Sequence, residues 1–315
     1  MRQRHVLLEG KLLPCADEQA PIQLCVAPDA AERAWLQERF GLDGHALASA
    51  LDPDEVARVE FHGTSLFVIW QRPQNYTGGD SFAFEVSSFG MLLDARGLLL
   101  IANSDSLLGG LAARHDLRQP LDVLLAVLLD NIHHYQGHLK VIKLVARELQ
   151  QRFNQSMHNK HLLQMFNLSE SLVYYLNAIQ SNGSVLTRLR NHAEKLHLSE
   201  QQVALLDDLL IENNQCFKQA EIYSSVCAGL MDARGNLLNN SMNEMLRKLT
   251  LINVVFLPLN LIAGIGGMSE YSMMTHAIPW WISYPLFVLA LALLAGLMLL
   301  ALRRLLANGP PRTTG

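Results

Sequence analysis

The sequence predicts an α+β domain followed by a long helical stalk and two transmembrane helices. Three observations carry that class. Charged residues make up 17% of the chain, against about 25% in soluble domains. The deficit is local: from Thr250 to Leu302 there is no Lys or Arg and one acid, Glu270. Prolines partition the remainder, with six of the eleven at or before Pro120 and none between Pro120 and Pro258.

Residues 1–118 read as a mixed α/β domain. Short β-rich runs occur at Ser65–Gln71, Phe82–Ser88 and Leu98–Asn103. They are separated by the turn signals Tyr76-Thr77-Gly78-Gly79-Asp80 and Asp94-Ala95-Arg96-Gly97. Asp29–Phe40 is an early helix. No Gly-rich phosphate loop or GxSxG elbow follows any of these strands, and no nucleophile or paired-acid motif supports an enzyme. The opening stretch has no apolar run long enough for a signal peptide, so this domain is expected on the cytoplasmic side.

Residues 119–248 read as helical. Leu121, Leu124, Leu125, Leu128 and Leu129 recur at three- and four-residue spacing, an apolar stripe. Ser181-Asn182-Gly183-Ser184 is expected to be a turn between two long helices. A second break falls near His197–Glu200, with Ser199 as cap. From Ser199 to Met268 is 70 residues, roughly 105 Å as one helix. No single compact domain buries such a helix, so a bundled assembly follows.

The first membrane span is read as 249–268 and the second as 280–302, joined by a short outer loop, 269–279, and followed by a cytoplasmic tail, 303–315. Each span has at least the 20 or so residues that cross a hydrocarbon core. Trp280, Trp281 and Tyr284 form an aromatic belt. Arg247 and Lys248 precede the first span, Arg303 and Arg304 follow the second, and the loop has no Lys or Arg. The positive-inside rule then puts both termini in the cytoplasm.

The polar residues of the first span are ordered. Asn243, Leu246, Thr250, Asn253, Leu257, Asn260 and Gly264 follow a three-four alternation and share one helix stripe. An amide in lipid leaves unpaired donors and acceptors, so the stripe faces either other helices or water. As interhelical glue its amides hydrogen-bond neighbouring helices and no ion passes; as rings in a symmetric oligomer it lines a pore. Uncharged amide oxygens can hold the water shell of Mg²⁺, an ion reluctant to dehydrate. Pro258 frees the carbonyl of Val254 within the same span.

Asn243–Thr250 (NEMLRKLT), Phe256-Leu257-Pro258-Leu259 and Leu261–Met268 (LIAGIGGM) resemble the CorA family of divalent-cation transporters, with its ZntB relatives and CmaX-type branch. The resemblance implies a funnel-shaped homopentamer in which the long helix continues into the pore-lining span. By position it puts Asn243 at the cytoplasmic mouth, Leu246 and Leu249 in a hydrophobic constriction, Leu257 in an upper apolar ring and Asn260 in a polar ring. It further implies Asp232 as a stalk acid on the axis and Asp208 as a ligand of a regulatory ion. The family's Gly-Met-Asn signature is Gly267-Met268-Ser269 here. A serine ring is wider and weaker, and Glu270 beside it is either a second, carboxylate ring or a solvated loop acid.

His134 and His138 stand one turn apart, a spacing that can chelate a metal; His133, His158, His161 and His276 add further imidazoles. The expected cargo is accordingly Mg²⁺ or Zn²⁺, either of which could also be a regulatory ion, with no tightly bound cofactor. A non-conducting scaffold or sensor is the competing reading. The partners expected are a homopentamer and the lipid bilayer. A net charge of −4 argues against nucleic acid. The four cysteines lack metal-ligand spacing and read as reduced thiols.

Overall fold

The computed structural model describes residues 1–63, 65–74, 83–113, 116–155 and 159–307. The expected turn Tyr76–Asp80, Phe82 at the head of the second β-rich run, His158 and the tail from residue 308 lie outside the described residues. The chain divides into two units, Met1–Met231 and Asp232–Gly315.

The first unit is built on a seven-stranded sheet. Its strands are β1 (Arg2–Leu8), β2 (Lys11–Pro14), β3 (Ile22–Val26), β4 (Arg58–His62), β5 (Ser65–Pro73), β6 (Val86–Asp94) and β7 (Gly97–Ala102), in the order β2-β1-β3-β7-β6-β5-β4. Among the described strands only β3 and β7 pair in parallel, Ile22 opposite Leu98; the other neighbours are antiparallel. Two short helices, α1 (Ala30–Phe40) and α2 (Gly44–Leu51), cover one face, where Leu36, Leu47 and Ala50 meet Phe67, Ile69, Leu99 and Ile101. The other face, with Leu66, Val68, Trp70, Leu98 and Leu100, packs on the helical layer of α3 (Pro120–Gln155) and α4 (Asn159–Asn191). Burial on both faces is why β5 and β7 read as unbroken apolar runs rather than as alternation. Each fully buried large side chain contributes about 1.5–3 kcal/mol.

The early helix forms as expected, held by a reciprocal cap. The Glu32 N–H donates to Asp29 Oδ1 at 2.7 Å, and the Asp29 N–H donates to Glu32 Oε2 at 3.2 Å. The second β-rich run is displaced: β6 begins at Val86, because the Phe84 N–H donates to Ser171 Oγ of α4 at 2.9 Å instead of joining the ladder.

The expected turn at Ser181–Ser184 is a correction, since α4 passes through it without a break. These residues serve packing rather than chain reversal. Asn182 is fully buried; its Oδ1 accepts from the Gln71 N–H at 3.1 Å and its Nδ2 donates to the Gln71 carbonyl at 2.7 Å. The β4–β5 register ends at Arg58↔Ile69, so the carboxamide takes the place of a neighbouring strand beside Gln71. Gly183 makes room for Asn213, whose Nδ2 donates to the Ile179 carbonyl at 2.9 Å.

The break before α5 (Glu200–Gly266) does occur. The Gln202 N–H donates to Ser199 Oγ at 3.3 Å and the Ser199 N–H to Gln202 Oε1 at 3.0 Å, the two halves of a capping box. The helix has 67 residues, roughly 100 Å of length. Helices α6 (Ser269–Met274) and α7 (Trp280–Ala307) complete the second unit; α6 lies within the segment read as an outer loop. Among the described residues, two helices are long and apolar enough to cross a membrane, the apolar part of α5 and Trp280–Leu302.

Candidate functional site: the polar stripe of the membrane helix

In the second unit α5 has two unlike faces. Leu251, Val255, Pro258, Leu259, Ile262 and Gly266 are its least exposed residues there and recur at helical spacing. Phe287 of α7 lies against Gly266, and its ring centroid is 5.4 Å from that of Tyr271. On α7 the less exposed residues Ser283, Phe287, Leu291, Leu294 and Met298 form the matching stripe. The two spans therefore pack through these faces.

Asn243, Leu246, Thr250, Asn253, Leu257, Asn260 and Gly264 lie on the far side of α5. At 100° per residue, the centre of their stripe is about 160° from the packed face. All seven are exposed within the chain, Leu257 at 70%, and Leu249 lies on the same side at 55%. The Thr250 hydroxyl turns back to donate to the Leu246 carbonyl at 2.9 Å. The stripe continues towards the N-terminus through Asn239, Asn236 and Asp232, also exposed. Asn236 and Asn239 were missed in the sequence although the three-four spacing reaches them, because they stand outside the apolar segment that drew attention to the others.

At the other end α5 closes tightly. The Gly267 N–H donates to the carbonyls of Ala263 (3.1 Å) and Gly264 (3.2 Å), and the Met268 N–H to Ile265 at 3.1 Å. Met268 then turns into extended backbone, and Ser269 Oγ donates to Glu270 Oε2 at 3.2 Å. Hydroxyl and carboxylate thus form one exposed acceptor pair at the end of the stripe. It can attract a cation without an intervening basic group.

The first unit places the remaining candidates. Asp208 is exposed on α5, next to Asp207, which accepts from Arg190 Nε at 2.6 Å. His133 pairs with Glu212 at 2.9 Å, and His161 Nδ1 donates to Gln164 Oε1 at 3.1 Å. The rings of His134 and His138 meet edge-on at 4.5 Å, and His138 Nδ1 is 2.7 Å from the Tyr175 hydroxyl. Among the described residues no third His, Cys, Asp or Glu gathers with them. A pair falls short of the three or four protein ligands of a bound Zn²⁺.

Burial, reinforced by His134 nearby, depresses His138 to about 4. The unfolded chain protonates first as the pH falls below about 6.5, so this histidine's contribution is complete above that value and is lost as the pH falls through 4. The loss amounts to about 3 kcal/mol. His138→Gln should accordingly flatten the decline in thermal midpoint between neutral pH and pH 4 relative to the parent; parallel curves would show that His138 contributes none of it. The cysteines are free, and burial pushes the thiols of Cys25, Cys216 and Cys227 up to about 11, 12 and 11. At those values they are protonated and inert.

The model of a family described as CorA-like Mg²⁺ transporter protein matches residues 24–304. The cobalt/magnesium transport protein CorA of Methanocaldococcus jannaschii is 24% identical over 259 residues, 78% of each chain. The complete structure of the CorA magnesium transporter from that organism superposes with a TM-score of 0.78 at 19% identity, covering 96% of both chains. Full-length CmaX gives 0.72 at 16% identity, again over 96% of both. The two structures establish the fold, an α+β domain, a long helix and two apolar helices. With the family match over most of the length, they make this chain a member of the CorA-like Mg²⁺ transporter family of membrane proteins.

Proposed function

We propose that the chain assembles as a homopentamer in the cell (inner) membrane, both termini in the cytoplasm, and moves Mg²⁺ or Zn²⁺ through a central pore lined by α5. The observation that carries this is the uncharged carboxamide stripe on the face of α5 opposite the one packed on α7. Amides left in lipid would cost free energy at every turn, whereas rings of them around a water-filled axis are satisfied. Asn243, Asn253 and Asn260 hold the ion's water shell, Leu246, Leu249 and Leu257 form the apolar constrictions that gate it, and Ser269 with Glu270 collects cations at the entrance. Asp232 serves the stalk axis and Asp208 a regulatory ion. An inside-negative membrane potential favours entry by about 2.3 kcal/mol per elementary charge per 100 mV, with or without proton coupling.

A non-conducting scaffold is the second reading, favoured by Ser269 where the family signature has Asn. Purified protein in liposomes distinguishes the two. Mg²⁺ or Zn²⁺ uptake above empty liposomes is expected, and dependence on a pH gradient would show proton coupling. An intact oligomer that passes neither ion would leave the scaffold.

A further inference from the structure

The two membrane helices form a cavity that the polar stripe does not use. It has a volume of about 900 Å³ and lies within the second unit, between the end of α5, α6 and the first half of α7. Small residues hollow out its α5 wall. Gly266 is the point of contact, since a Cβ there would sit 2.3 Å from the Phe287 ring. One residue on, a Cβ at Gly267 would meet, among the described residues, only carbonyl oxygens of its own chain segment, at 3.6 and 3.7 Å. Ala263 lines the same wall. At 100° per residue it stands roughly 110° round α5 from the centre of the Asn243–Gly264 stripe.

The lining is graded along α7. Near the α6 end stand Tyr271, Thr275, His276, Trp280, Ser283 and Tyr284; towards mid-span stand Phe287, Val288 and Leu291. Among the described lining residues none is Lys, Arg, Asp or Glu. Trp280 and Tyr284 are 79% and 67% exposed, at the end of the span where indole and phenol rings mark the headgroup level. From Trp280 to Leu291 the helix advances roughly 16 Å. That is about half of a 30 Å hydrocarbon core, the depth of one leaflet.

We infer that this cavity holds one acyl chain of a membrane phospholipid, with the phosphate at the rim. Tyr271, His276, Trp280 and Tyr284 all carry N–H or O–H groups that can donate to it. The gradient selects the occupant, an amphiphile one leaflet long with its polar end at the aromatic belt. Water would find no partners along the lower walls, and an empty hollow of this size forfeits dispersion contacts on every side. A second copy of the chain seated there would cover the two rings that the belt otherwise presents to headgroups. A bound chain becomes part of the α5–α7 contact beside Gly266 and Phe287. Such binding needs only that the two spans lie in a bilayer, and is independent of whether ions pass.

The test counts lipid on the full chain. The oligomer is purified in detergent, washed until loosely held lipid is gone, supplied with phosphatidylethanolamine and weighed by native mass spectrometry. The parent should retain one phospholipid per chain. Ala263→Phe and Val288→Phe fill the cavity from opposite walls, and each should retain about a tenth as much at unchanged oligomer size. Leu293→Phe is the control: 61% exposed and roughly 140° round α7 from Val288, it should bind like the parent. A washed parent that holds no lipid would overturn the proposal and leave a second copy as the occupant. Parent-like retention in a correctly assembled filling variant would overturn it too, by placing the lipid elsewhere. If one variant fails to assemble, the other decides.

Discussion

Liposomes carrying Asn253→Leu should take up divalent cations at less than a tenth of the parent rate, with the oligomer intact. Asn253 stands mid-span on the stripe opposite the α7-packed face, one turn below Leu257 and two above Leu246. In a pentamer the substitution replaces a ring of carboxamides by a ring of isobutyl groups. It thereby joins two apolar constrictions into one dry segment. Each hydrogen bond to the ion's water shell is worth about 0.5–1.5 kcal/mol net, and a ring loses several together. Every 1.4 kcal/mol added to the barrier is about tenfold in rate. Asn253→Gln keeps the amide and should retain most of the flux. If Asn253→Leu transports like the parent while its size by gel filtration is unchanged, the stripe is interhelical glue and the pathway lies elsewhere.

Gly97→Val should lower the thermal midpoint of the full-length protein by roughly 10 °C, more than any surface substitution. Gly97 has φ +136°, and a Cβ there would sit 2.0 Å from the Pro21 carbonyl oxygen. That oxygen accepts from the Leu98 N–H at 2.8 Å. Relieving the clash moves Pro21 away, breaks this bond and disturbs the start of the β3–β7 pairing at Ile22↔Leu98. Among the described strands this pairing is the one ladder joining β1, β2 and β3 to the other four. Backbone strain of about 1–3 kcal/mol and a lost buried hydrogen bond add in the same direction. Gly63→Ala is the control: its φ is +60° but no atom lies within 4 Å, so it carries the strain without the collision. A midpoint for Gly97→Val no lower than that of Gly63→Ala would mean that Pro21 yields freely.

Much of the helical part was legible because its signals are one-dimensional. The membrane segments declare themselves by an absence of charge, which depends on no partner. The start of α5 is written in Ser199 and Gln202, three residues apart, since a cap is satisfied by its own helix. The stripe from Asn243 to Gly264 follows from spacing alone, because a helix converts sequence interval into angle.

The front domain was legible in outline. The central strands β5 and β7 stood out as apolar runs, but β1 to β4 did not. β1 is half-buried along its length and mixes Arg and His with Val and Leu, so neither alternation nor a continuous run marks it. The eight residues of α2 are too few to show a period. Asn182 and Gly183 misled for a definite reason. They are turn formers locally, and whether they end a helix depends on whether Gln71 and Asn213 stand beside them.

By itself, then, the sequence determined the charge-free spans, the helix cap, the polar stripe and the family resemblance, all of which rest on residues within a few turns of one another. Only the tertiary structure decided that α4 continues through its polar centre, that His138 is buried against Tyr175, and that the carboxamide stripe faces away from α7. Each of these depends on which distant atoms fill the space around a side chain. Desolvation and hydrogen-bond satisfaction are set by neighbours in space, and sequence order does not carry them.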